Sequence, residues 1–82
     1  MPRYFIDAYD GDFPHRDEDG HDLPDDDAAR DMVLDALPDM ARDKLPDGDS
    51  GTFTATARDE QGNVVYEASL SLKGRWGPRR GA

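Results

Sequence analysis

The 82-residue chain has no cysteine. That excludes disulfides and thiolate metal centres, and it leaves a small core without covalent staples. Long apolar runs are missing too: none approaches the ~20 residues of a membrane-spanning helix. The opening Met1-Pro2-Arg3-Tyr4-Phe5-Ile6-Asp7 meets an acid before a signal-peptide core could form. These absences are read as a cytoplasmic chain with no membrane contact. Base is scarce over most of the length. Residues 1–72 carry 19 acidic and 6 basic side chains, a balance of −13. Residues 73–82 reverse this with Lys73, Arg75, Arg79, Arg80 and no acid, a balance of +4. A body this acidic repels nucleic acid and anionic surfaces, so such a contact is expected only through the tail.

What is abundant is aspartate, 16 of the 19 acids. Aspartate caps helices and builds turns, and either salt adaptation or a compositional bias would enrich it. Crowded carboxylates are expected to raise one another's pKa values. Arg3–Tyr9 alternates as a strand, with Tyr4, Ile6 and Ala8 on one side and Phe5, Asp7 and Tyr9 on the other. Asp10-Gly11-Asp12 turns the chain into a short strand at residues 13–17, which Pro14 confines to an edge. Asp25 is the expected N-cap of a helix whose stripe is Ala29, Met32, Val33, Ala36, Leu37, Met40, Ala41 and Leu45. Pro38 falls within that stripe and predicts one kinked helix, ended by Leu45-Pro46-Asp47-Gly48-Asp49. Residues 52–60 and 64–73 form a hairpin around Gln61-Gly62-Asn63. The order ββαββ is an α+β fold, one kinked helix on one face of a four-stranded sheet. Residues 1–72 make a single domain, and 73–82 are expected to be a basic, disordered tail.

Several segments together resemble a family of short uncharacterised bacterial proteins, a domain of unknown function. They are Met1-Pro2-Arg3-Tyr4-Phe5 with Asp7, Asp10-Gly11, Leu23-Pro24-Asp25 leading into Ala28-Ala29-Arg30, Asp39-Met40-Ala41-Arg42-Asp43, Leu45-Pro46-Asp47-Gly48, and Asp59-x-x-Gly62. The resemblance spans about residues 1–72, and Pro38 departs from it. It implies a fold and no activity, so no functional residue is carried over.

The Asp-rich stretch 10–27 invites a metal reading. With Gly20 at the sixth position of a calcium loop, Asp17 and Asp19 take positions three and five. His15 then stands where an acid is required, Asp22 where an aliphatic belongs, and Asp26 in place of glutamate. His15, Asp17, Asp19 and Asp26 are thus candidate ligands that miss the pattern, and no cofactor is expected. No serine is spaced to pair with His15 or His21, and no glycine-rich stretch leads into a helix as a phosphate loop must. The chain is read as non-enzymatic. Phe5, Tyr9, Thr54, Thr56, Val65 and Ser69 are expected on the sheet face away from the helix. That face suits an unidentified protein partner or a homodimer. Arg75, Trp76, Arg79 and Arg80 are the expected tail contacts. Two alternatives stand beside this interaction module: an acidic decoy that mimics nucleic acid toward basic proteins, and a weak divalent-cation binder through the Asp-rich hairpin.

Overall fold

A computed structural model describes residues 2–44 and 50–78 of the chain. The elements run β1 (Arg3–Tyr9), β2 (Pro14–His15), β3 (His21–Asp22), α1 (Asp26–Lys44), β4 (Ser50–Arg58) and β5 (Val64–Lys73). The fold is α+β, with an antiparallel sheet ordered β2-β1-β4-β5 and β3 pairing with β1 beside β2. α1 packs on one face of it, against β4, β5 and β1.

Five strands stand where four were expected, because the second is split. β2 pairs Ala8 with His15, and β3 pairs Tyr4 with His21. Both lie on the same edge of β1, and between them Arg16–Gly20 bulges out opposite Phe5–Asp7. The bulge is stabilised by the carboxylate of Asp17, which accepts the Ile6 N–H at 3.0 Å in place of a strand carbonyl. It also accepts the N–H groups of Asp19 and Gly20 at 3.1 and 3.0 Å. Gly20 is required here: its φ is +78°, and a Cβ would meet the Arg3 side chain at 2.9 Å and the Phe5 ring at 3.0 Å.

Asp25 is the N-cap of α1, its carboxylate accepting the Ala28 N–H at 2.9 Å. The helix runs unbroken through Pro38, so it is not split. Proline lacks the N–H that would reach the Leu34 carbonyl, but both residues are exposed and water can serve that carbonyl. The expected stop at residues 45–49 lies outside the described residues. Ala29, Val33 and Leu37 are buried against Tyr4, Phe53, Ala55 and Ala57, with Ile6, Leu23, Met40, Ala41, Val65, Tyr66 and Ala68 packed around them. Alanines at the centre let helix and sheet meet without intervening bulk.

The β4–β5 hairpin turns as expected. Asp59 accepts the N–H groups of Gln61 and Asn63 at 3.0 and 2.8 Å, and Gly62 takes φ +88°. Its register carries one surprise. Ala57 pairs with Tyr66 but Arg58 pairs with Val64, leaving Val65 as the extra residue of a β-bulge. The bulge turns Val65 from the open face to the core, against expectation, and puts Val64 outside.

Candidate functional site

The sheet face away from α1 has no covering layer among the described residues, and it gathers five of the six residues expected on it: Phe5, Tyr9, Thr54, Thr56 and Ser69. Partners in an antiparallel ladder share a face. Tyr9, Thr54 and Ser69 therefore form one row, Asp7, Thr56 and Glu67 the next, and Phe5, Arg58 and Val64 a third. Val65 is the one expected member the structure removes.

The middle of the face is a ladder of cross-strand hydroxyl contacts. Thr52 meets Ser71 and Thr54 meets Ser69, both at 3.3 Å, and Thr56 donates to Glu67 at 3.0 Å. Tyr9, 45 % exposed, donates its hydroxyl to the Gly11 carbonyl at 3.0 Å. A groove of about 430 Å³ opens between this ladder and the β2 edge, lined chiefly by Asp7, Tyr9, Pro14, Arg16, Thr54 and Thr56.

At the other end the Asp17 loop leans on the face. The Arg58 guanidinium lies 4.6 Å over the Phe5 ring, donates to Asp7 at 2.7 Å and donates to the Asp17 carbonyl at 3.0 Å. Asp7 in turn accepts the Asp17 N–H at 2.9 Å. Burial pushes the Asp7 carboxyl up, but Arg58 and that N–H more than offset it and hold it below the usual range. Burial likewise acts upward on Asp17, and the N–H groups of Gly20, Ile6 and Asp19 bring it below the usual range. Asp10 and Asp59 are lowered by backbone N–H donors. Among the described residues the carboxyls displaced from the usual range, Asp7, Asp10, Asp17 and Asp59, all move downward, correcting the expectation that crowding would raise them. These carboxylates face amides and a guanidinium instead of one another.

The candidate metal ligands are dispersed. Both oxygens of Asp17 are engaged by backbone, with His21 Nε2 3.3 Å away. Asp26 accepts the Tyr4 hydroxyl at 2.6 Å, His15 pairs opposite Ala8, and Asp19 is exposed in the loop. Among the described residues no group of three or more His, Asp or Glu could hold a metal ion. The Asp7–Arg58–Asp17 cluster was not visible in the sequence, because Asp7 and Arg58 are 51 residues apart.

Lys73 closes β5, where the expected hairpin strand also ends. Arg75 and Trp76 are exposed, Trp76 at 75 %, while Arg79 and Arg80 lie outside the described residues. Among the described residues no helix is long and apolar enough to cross a membrane.

No curated protein and no solved structure matches the chain. A family model does match, over residues 3–71. That span takes in β1, the split edge, α1, β4 and nearly all of β5, and on it the chain belongs to a domain of unknown function (DUF6894).

Proposed function

We propose that this domain is a non-enzymatic interaction module that offers the open face of its sheet to a partner protein. The observation that carries the reading is electrical. The chain has net charge −9, yet on the open face Asp7, Asp22 and Glu67 are balanced by Arg3, Arg58 and Lys73. Acid is concentrated elsewhere, on α1 and in the turns, so the open face is where another protein can approach with least repulsion. Its hydroxyls and the Tyr9 ring offer a contact surface of mixed polarity, as transient interfaces do. Ser69 and Ser71 are engaged with threonines on that face, which fits a surface better than a nucleophile. Affinity capture with three proteins tests this. Thr54→Arg should lose partners that the wild type retains, and Asp35→Lys on α1 should keep them; the reverse pattern would overturn the reading.

A second reading, the acidic decoy, rests on one observation. Asp27, Asp31, Asp35, Asp39 and Asp43 recur every fourth residue along α1, and all are exposed. Four residues of helix rise about 6 Å, so they form a row of evenly spaced negative charge. Binding to a basic protein that Asp35→Lys abolishes and Thr54→Arg spares would favour it.

A further inference from the structure

The two edges of the sheet are built differently. The β1 side carries two dipeptide strands, Pro14, and a carboxylate that takes up the Ile6 N–H. Short strands, proline and a bulge are devices that keep an edge from pairing with another chain. β5 is ten residues long, contains neither proline nor glycine, and is bulged only near its start. Among the described residues it pairs with β4 alone. Of the six large apolar side chains exposed in the described chain, Val64, Leu70 and Trp76 lie on β5 or just beyond it.

We propose that two copies of this chain pair through β5, antiparallel, about a two-fold axis between their Leu70 residues. The side chains fit this register. With Leu70 opposite Leu70 of the partner subunit, Ala68 faces Leu72 of the partner subunit and Ser69 faces Ser71 of the partner subunit. Glu67 faces Lys73 of the partner subunit, and symmetry repeats the ion pair. Opposed residues share a face, so the apolar pairs extend the helix-side layer while the charged and serine pairs extend the open face. A slip of one residue sets Leu70 against Ser69 of the partner subunit and puts apolar and polar groups on the wrong sides.

The register also gives the acid–base division of the chain a role. Beyond Lys73 each copy runs past Val64 of the partner subunit toward the partner's Asp59–Asn63 turn. Arg75 thereby approaches Asp59 and Glu60 of the partner subunit, and the exposed Trp76 finds apolar cover. Both helices then lie on one side, and the two open faces merge into one continuous sheet. The pairing extends the proposed function without depending on it. A single strand pair is smaller than a standard interface, as in transient complexes, so the pairing should be reversible.

Sedimentation equilibrium on the full chain should show a reversible species of twice the 9.1 kDa monomer mass. Leu70→Lys places like charges at the axis and should weaken the dimer by roughly tenfold or more. Glu67→Lys should also weaken it, and adding Lys73→Glu should restore it. Thr54→Arg should leave it intact, which separates this inference from the open-face reading. In the wild type, the β5 N–H groups that point away from β4 should exchange more slowly as concentration rises, a readout that survives if Leu70→Lys fails to fold. A monomer whose outward β5 N–H groups exchange freely at every concentration would overturn the proposal. So would a dimer indifferent to the charge swap, or one broken by Thr54→Arg.

Discussion

The carboxylate of Asp17 stands in for a missing stretch of strand. It satisfies the Ile6 N–H on the edge of β1 and closes its own turn through Asp19 and Gly20. Asp17→Ala would leave the half-buried Ile6 N–H without its acceptor and should lower unfolding free energy by about 1–3 kcal/mol. Chemical denaturation measures that loss, and faster exchange of the Ile6 amide would localise it. Titration adds a second test. Asp7, Asp10, Asp17 and Asp59 have folded pKa values below their ordinary ones. Their contribution is therefore present above the unfolded carboxylate value of about 4 and lost as pH falls through the lower folded values. The melting temperature should drop on acidification below pH 4; a rise there would mean that carboxylate repulsion dominates. At the alkaline end, the hydrogen bond to Asp26 is the main cause pushing the Tyr4 hydroxyl up to about 12. Unfolded Tyr4 ionises first, near pH 10, so its contribution is full below that pH and declines toward 12. The slope should flatten in Tyr4→Phe.

At the scale of the element, α1 shows why its face could be read in advance. Ala29, Val33 and Leu37 recur every four residues, and the side chains buried on the sheet lie where that spacing puts them. Leu37→Ala should cost about 2–4 kcal/mol, a large part of the stability of so small a domain. A cooperative thermal melt that barely moves would show that the helix presents a different face. β1, β4 and β5 were legible for a similar reason, since alternation fixes which side of a strand is wet. The split edge was not. β2 and β3 have two residues each, too short for periodicity, and the loop between them is set by hydrogen bonds that the Asp17 carboxylate accepts from Ile6, 11 positions away, and from nearby Asp19 and Gly20. Val65 was misplaced because alternation carries no mark of a bulge; the extra residue exchanges the sides of Val64 and Val65, while Tyr66 and the residues after it keep theirs. The Arg58–Asp7 pair, at 2.7 Å, joins strands far apart in sequence, and only the β1–β4 register brings them together.

Across the whole molecule, charge is sorted by layer. The helix carries Asp26, Asp27, Asp31, Asp35, Asp39 and Asp43 against Arg30, Arg42 and Lys44, while the open face of the sheet balances. Solvated carboxylates on the helix keep that side apart from other acidic chains, and the sheet side remains approachable. Among the described residues the tail adds little to the fold: Gly74–Pro78 are exposed throughout, and the family match ends at residue 71. Truncation after Lys73 should leave the melting temperature of dilute protein nearly unchanged. A large loss would mean that Trp76 packs on the body. The most direct test of the account places a photo-crosslinking residue at Thr54, in the centre of the open face, and separately at Asp35 on α1, in otherwise intact protein in cells. The account predicts discrete protein adducts from position 54 and few or none from position 35. Adducts from position 35 alone would contradict it and move the contact surface to the helix.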